Sequence, residues 1–319
     1  MRLPQPLLDS PLFQFERLDD FERAIGEYSH VELLEIRRLA SIGLPPIISE
    51  STLGTLIGVN PGLIWSFVNR PRKHYRQFYI AKGRHRRRID APRIALKIPQ
   101  KWIGTQLAGR YNAPDHVFGF VPGRSHVGAA RVHVGANWVL SLDIENFFPS
   151  TPQKLVAEAL VSAGFNLSGA ELIAALTCLE GGLAQGAPSS PIISNFCFAP
   201  WDKGLSTFAS GKKVRLSRYA DDIVISGDAA YPEGLKEQVC ELLKSSPWRI
   251  SESKTRVAFS PARLKVHGLL VHGREVRPTK GYRNKLRMFR HILSNRSNLD
   301  PKFVDKVRGH ISYENSVGK

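Results

Sequence analysis

Acidic residues are scarce in this 319-residue chain: 28 Asp and Glu stand against 45 Lys and Arg, a formal net charge of +17. A surface so poor in negative charge favours a polyanionic partner. Nucleic acid is the leading candidate, with an anionic membrane surface and plain solubilising charge as the bland rivals. The surplus is also local: His85, Arg86, Arg87 and Arg88 adjoin, and Arg283, Lys285, Arg287 and Arg290 recur near the end.

Cysteine is nearly absent. Cys178, Cys197 and Cys240 form no CxxC pair and are odd in number, which supports neither a disulfide framework nor a structural zinc site. A reducing cytoplasm is the expected compartment. No apolar run approaches the ~20 residues of a membrane span. The N-terminal stretch MRLPQPLLDSPLFQFERLDD carries early prolines and acids where a secretory leader has a basic segment followed by an apolar one. A soluble, non-exported protein with no membrane partner is expected. Internal repeats, low-complexity tracts and Gly/Ser linkers are missing too. With 42% hydrophobic residues, the chain has enough apolar surface for one large domain or two to three packed subdomains.

What is present reads as α+β. Apolar residues at helical spacing predict a helix over residues 19–42, closed by Gly43-Leu44-Pro45-Pro46. Short helices are expected over 49–59 and 63–69. The run 75–98 has two apolar pieces around Lys82-Gly83-Arg84 and reads as a hairpin with a basic tip. Strands are expected over 137–143, 213–216, 223–226, 257–259, 264–271 and 275–277, and helices over 151–164, 235–243 and 278–293.

Asp221 and Asp222 fall between a basic strand and the apolar run Ile223-Val224-Ile225, in the turn of a hairpin. By itself an Asp-Asp turn is usually just a turn. That reading weakens because Asp143 ends a second apolar strand, Val139-Leu-Ser-Leu-Asp143, which an antiparallel sheet could bring beside the first pair. Carboxylates crowded together are tolerated around a cation, and such hard oxygen donors suit Mg²⁺. Three of them with two ions make a phosphoryl-transfer site that needs no protein nucleophile.

The strand ending at Asp143 with Phe148 five residues on, then Leu183-Ala-Gln-Gly-Ala-Pro-Ser-Ser-Pro191, then Tyr219-Ala-Asp-Asp222, resembles motifs A, B and C of reverse transcriptases in wording and order. Within them the chain is most similar to bacterial retron reverse transcriptases, through Ala129-Ala-Arg-Val-His133, the motif B wording and Val266-His-Gly-Leu-Leu-Val271. The likeness runs from about Tyr75 to Tyr313. Two positions depart from the retron wording: Ala129 stands where Asn is expected, and the Val-Thr-Gly triplet reads Val266-His267-Gly268.

The resemblance implies a right-hand polymerase with an antiparallel-sheet palm, basic fingers and a helical thumb. The divisions would be a helical region 1–74, fingers 75–136, a palm 137–262 interrupted by a motif B insertion at about 165–190, and primer grip with thumb 263–319. By the same resemblance Asp143, Asp221 and Asp222 hold two Mg²⁺ ions, or Mn²⁺. Lys254 serves the leaving pyrophosphate. Arg87 and Arg88 grip the triphosphate, and Phe148 excludes a ribose 2′-hydroxyl. Gln185, Gly186 and Tyr219 line the nucleotide, while His133, Val266, His267, Gly268, Arg283, Lys285 and Arg287 meet nucleic acid. Each has a bland rival: a core aromatic for Phe148, a solvated lysine for Lys254, a satisfied structural histidine for His133, a solvated basic helix for the thumb.

The implied function is RNA-directed DNA synthesis: a structured non-coding RNA is copied, with dNTPs, into multicopy single-stranded DNA joined to the RNA. A place in anti-phage defence beside a separate effector or toxin protein is implied with it. The alternatives are a group-II-intron-like or other bacterial reverse transcriptase, and a catalytically silent RNA-binding scaffold.

Overall fold

The computed structural model describes residues 4–83, 85–295 and 299–317. In chain order the elements begin with five helices: α1 (Gln5–Asp9), α2 (Leu18–Ile25), α3 (His30–Ser41), α4 (Glu50–Ile57) and α5 (Pro61–Asn69). The hairpin β1 (Tyr75–Lys82) and β2 (His85–Pro92) leads to α6 (Ile94–Arg110) and α7 (His126–Arg131). Then come β3 (Trp138–Asp143), α8 (Gln153–Ser162), α9 (Leu167–Thr177), β4 (Cys178–Leu179), β5 (Gly182–Leu183) and α10 (Ser190–Lys212). The chain continues through β6 (Arg215–Tyr219), β7 (Asp222–Gly227), α11 (Leu235–Leu243), β8 (Arg256–Phe259), β9 (Lys265–Val266), β10 (Leu269–Leu270), β11 (Arg277–Pro278), α12 (Lys280–Asn295) and α13 (Pro301–Val317).

The class is α+β, as expected, and several boundaries move for identifiable reasons. The single helix expected over 19–42 is two, because Gly26 takes a left-handed φ of +81° and Ser29 opens α3 with a capping box closed by Glu32. The basic hairpin ends at Pro92 rather than Ile98, since Tyr75 at the start of β1 pairs with Pro92. The strand expected at 213–216 begins later because Lys213, with φ +55°, still belongs to the turn leaving α10. The expected strand 264–271 is a miniature hairpin, β9 and β10, turning through His267 (φ +48°) and Gly268 (φ +81°). Two consecutive positive φ angles are what a type I′ turn requires, and glycine in the second place is its usual residue.

Two compact units divide the chain. The first comprises residues 1–113, 145–200 and 246–248, with the β1–β2 and β4–β5 hairpins. Its core includes the aromatic stack of Phe147, Phe198 and Trp248, with ring centroids 4.8 to 6.1 Å apart. The second comprises 114–144, 201–245 and 249–319, and holds a four-stranded antiparallel sheet in the order β6-β7-β3-β8. Its central strands are apolar on both sides: Leu140, Leu142, Ile223 and Ile225 are fully buried, and so are Val139 and Val224. On one face Val139 and Val224 pack against Val127 and Ala130 of α7 and against Leu264, Val266, Leu269 and Val271 around the small hairpin. Each such side chain contributes roughly 1.5–3 kcal/mol of burial free energy, so the strand ends are rigidly placed. Among the described residues no helix is long and apolar enough to cross a membrane.

Candidate active site

The acids sit at one end of the second unit's sheet because of register. β3 pairs with β7 so that Asp143 lies directly opposite Asp222, and directly opposed residues of an antiparallel pair project to the same face. β6 and β7 are joined by a two-residue turn: Tyr219 pairs with Asp222, Ala220 has φ +58°, and Asp221 fills the second turn position. The amide of Ile144 donates to the Asp221 carbonyl at 3.0 Å, tying the end of β3 to that turn. The sequence expectation that the two strands bring their acids together is met in the backbone.

Lys254 joins them. The Ser251 amide donates to the Asp143 carbonyl at 2.8 Å, and the turn that follows, with the Thr255 amide on the Ser251 carbonyl at 2.9 Å, carries Lys254 back so that its Nζ pairs with Asp143 Oδ1. On the other side, His267 Nδ1 is 3.5 Å from Asp222 Oδ2 and its ring lies 5.5 Å from that of Tyr219. The His267 side chain is only 6% exposed, and its Nε2 is buried with no hydrogen-bond partner among the described residues.

No group of three or more His, Cys, Asp and Glu side chains among the described residues forms a closed metal cage. The donors present are carboxylates at partly open positions, Asp143 at 16% and Asp222 at 46% exposure. That set suits a small hard cation that takes one or two carboxylates and completes its shell with water and phosphate oxygens, and not zinc, which prefers imidazole and thiolate.

The first unit places its own residues as follows. The amide of Asp90 in β2 donates to the Gln185 carbonyl at 2.8 Å, so the motif B loop lies along the basic hairpin. Gly186 has φ +137°, and a Cβ there would stand 2.9 Å from the Asp90 carbonyl oxygen; only glycine fits. Arg88 is committed: it bonds Asp90 and Glu180, each at 2.9 Å, and those hydrogen bonds raise its already high pKa. Arg87, next along the strand and facing the other way, makes no ion pair among the described residues. Phe147 takes the core position, leaving its neighbour Phe148 half-buried at 5.5 Å between centroids.

Two expected nucleic-acid contacts belong to the core instead. Val266 is 1% exposed within the apolar cluster, so only its backbone is offered to a ligand. His133 is completely buried, with Nδ1 and Nε2 each 2.7 Å from a serine hydroxyl, Ser226 on β7 and Ser217 on β6. It rivets two strands and reaches no partner outside. Burial, aided by the charges of His267 and Arg215, pushes its pKa down to about 3 from 6.5. Between those values the unfolded chain takes up a proton that the folded chain refuses. The contribution of His133 is therefore fully present above pH 6.5 and is lost as pH falls toward 3, at about 1.4 kcal/mol per pH unit. His133→Gln is expected to flatten the pH dependence of the urea midpoint between pH 7 and 5, and an unchanged slope would contradict this assignment.

α12 presents Arg283, Lys285 and Arg287 to solvent, while Leu286 and Phe289 are buried and Tyr282 bonds His310 of α13 at 2.9 Å. Arg290 is paired with Glu314 at 2.5 Å. The basic helix is thus amphipathic, with its cationic face exposed.

Sequence reasoning missed what lies behind the Ala220-Asp221 turn. Residues 116–119 run beside β6, with the Arg218 amide on the His116 carbonyl at 2.7 Å and the Phe118 amide on the Arg218 carbonyl at 2.8 Å. Arg218 and Asp202 are both 0% exposed and form a two-pronged pair, Nε to Oδ1 at 2.7 Å and Nη2 to Oδ2 at 2.6 Å. Burial would raise the Asp202 pKa, yet the charge of Arg218 and the hydrogen bonds from His116 and Arg218 hold the carboxyl below its ordinary value. The one available signal was Arg218 itself, a second arginine at the end of the basic strand, just before Tyr219-Ala-Asp-Asp222.

The sequence matches the family "Reverse transcriptase (RNA-dependent DNA polymerase)" over residues 72–279. It is 30% identical to the retron Mx65 reverse transcriptase of Myxococcus xanthus over 270 residues, which is 76% of this chain and 63% of that protein. It is 25% identical to the retron Ec86 reverse transcriptase of Escherichia coli, covering 90% of each chain. The chain therefore spans a little under two thirds of the Mx65 protein and nine tenths of the Ec86 protein. Among solved structures, a Candida albicans telomerase in complex with a fragment of telomeric RNA has a TM-score of 0.47 at 12% identity over 72% of this chain and 54% of its own. A foamy viral protease–reverse transcriptase with double-stranded DNA has a TM-score of 0.42 at 14% identity over 75% and 36%.

Proposed function

The chain belongs to the reverse transcriptase (RNA-dependent DNA polymerase) family, and from that premise we propose that it copies a structured non-coding RNA into DNA that stays joined to the RNA, as a retron enzyme. The observation that carries the polymerase reading is the registered pair Asp143 and Asp222 with Asp221 in the adjoining turn and Lys254 on Asp143. Similarity to the Mx65 and Ec86 retron enzymes supports the retron reading.

Asp143, Asp221 and Asp222 would hold two Mg²⁺ ions, or Mn²⁺, which when bound activate the primer hydroxyl and neutralise the nucleotide triphosphate. The protein's own groups do the rest. Lys254, already at the carboxylate edge, is placed to give charge or a proton to the leaving pyrophosphate. Arg87, unlike Arg88, is left for the triphosphate, where a guanidinium fork matches phosphate oxygens. Gln185, Gly186 and Tyr219 line the nucleotide and template. The His267-Gly268 turn supports the primer end through its backbone and the His267 ring, and Arg283, Lys285 and Arg287 follow duplex phosphates. The fingers, palm and thumb divisions read from the sequence belong to the same proposal, as do a cytoplasmic setting, a separate effector protein and a part in phage defence.

Phe148 would gate the sugar. Phe148→Val is expected to narrow the preference for dNTPs over rNTPs by roughly tenfold or more, the scale on which a pocket discriminates by shape. Single-nucleotide incorporation kinetics measure it; unaltered discrimination would return Phe148 to a packing role.

The deciding experiment supplies purified protein with its cognate RNA, dNTPs and Mg²⁺. DNA covalently joined to RNA supports the retron reading, synthesis only from an annealed primer on an intron-type RNA supports the group-II-like alternative, and RNA binding without any synthesis supports the silent scaffold.

A further inference from the structure

We propose that the buried cluster His116–Asp202–Arg218 is a positioning device that sets the catalytic turn, making Arg218 and Asp202 determinants of how Asp221 and Asp222 present their carboxylates. The turn needs such a device. Ala220 has φ +58°, a left-handed conformation that costs an L-residue free energy and that glycine usually supplies in a two-residue hairpin turn. Arg218 Nη1 donates to the Ala220 carbonyl at 3.1 Å, so the guanidinium grips the strained peptide from inside the protein.

The grip is itself fixed. Nε and Nη2 of the same guanidinium are spent on the two Asp202 oxygens at 2.7 and 2.6 Å, and His116 Nε2 meets Asp202 Oδ1 at 3.3 Å. Planar guanidinium with two prongs on a carboxylate leaves one orientation for the third nitrogen. The backbone closes the cage, since the amide and carbonyl of Arg218 are both bonded by residues 116–118. Asp202 comes from α10, so a helix, a loop and a strand converge on one carbonyl adjoining Asp221. A buried ion pair is weak evidence for stability, and equal-volume apolar replacement is often tolerated; the geometry gives this one a task instead. None of the three side chains would touch substrate or metal, so they act through Ala220.

The inference rests on the polymerase reading for its consequence but not for its test. Asp202→Leu with Arg218→Met removes the pair without leaving a buried charge, and Arg218→Lys keeps the charge while losing the three-way fork. Both are measured for melting temperature, for kcat and KM for dNTP on a primed template, for the Mg²⁺ half-saturation, and, with no substrate, for Tb³⁺ binding by luminescence. Variants that fold like the parent are expected to lose kcat by tenfold or more with KM for dNTP within about threefold, and to need several-fold more Mg²⁺ and Tb³⁺. If either folded variant keeps parental kcat and parental Tb³⁺ affinity, the cluster is only structural and the proposal falls. Should the double variant not fold, Arg218→Lys decides alone. If the parent makes no DNA yet the Tb³⁺ shift is seen, the polymerase reading fails and the positioning device stands.

Discussion

Asp221→Asn with Asp222→Asn is expected to abolish DNA synthesis, by at least roughly 10³-fold, while the protein folds as before. One preorganised charge-stabilising group is worth about 10²–10³ in rate, and this variant removes two carboxylates at once. Folding is spared because Asn keeps size and shape and both acids are only partly buried, positions where substitutions shift stability by about 0.5 kcal/mol or less. Asp143→Asn is expected to match the loss in rate and, in addition, to release Lys254 from its ion pair. Primer extension beside circular dichroism checks both, and synthesis persisting in the double variant would remove the acids from the chemistry.

Gly119→Ala is expected to be the most damaging single methyl in the second unit. An ideal Cβ at this residue would stand 2.3 Å from the Ala220 nitrogen and 3.0 Å from the Tyr219 carbonyl carbon. Both atoms are backbone, so neither swings aside, and the loop 116–119 or the turn has to move. Overpacking of this kind costs about 1–3 kcal/mol, and the strain enters at the peptide carrying Asp221. Loss of activity should therefore exceed loss of stability, about 10²-fold in kcat for a 1 Å displacement of catalytic groups. Gly204→Ala, where nothing lies within 4 Å of the added methyl, serves as the control: it is expected to leave activity unchanged and, inside α10, to raise stability by up to about 1 kcal/mol. Equal effects in the two variants would refute the close approach.

The acids were legible in the sequence because their signals are local: an apolar strand ending in Asp143, and an acidic pair bracketed by two strands. The Gly83 hairpin was legible for the same reason, whereas the capping box that opens α3 inside the expected 19–42 helix went unread. Long-range choices were not. Nothing near Arg88 tells that Glu180, in another hairpin, will claim it and leave Arg87. Whether His133 or Val266 faces out depends on which surface their elements cover, and both turn inward onto the sheet. The pairing of Asp202 with Arg218 required knowing that α10 passes behind β6. α6 and α10 were hidden by Pro99 and Pro200 inside them, which break the periodicity a helix is read by. α13 did carry a start signal in Asp300-Pro301, whose carboxylate accepts from the Lys302 amide at 3.0 Å.

The two-residue turn between β6 and β7 has a bearing on how the enzyme comes into being. That hairpin closes the shortest loop in its sheet, whereas β3 reaches β7 only across everything from α8 to β6, and loop closure must be met before a distant contact is rewarded. Asp221 and Asp222 are therefore in place early, and Asp143 arrives later, when β3 pairs with β7. A refolding chain should regain much of its secondary structure before it regains the ability to extend a primer, and the lag between those two signals times the docking of a single strand.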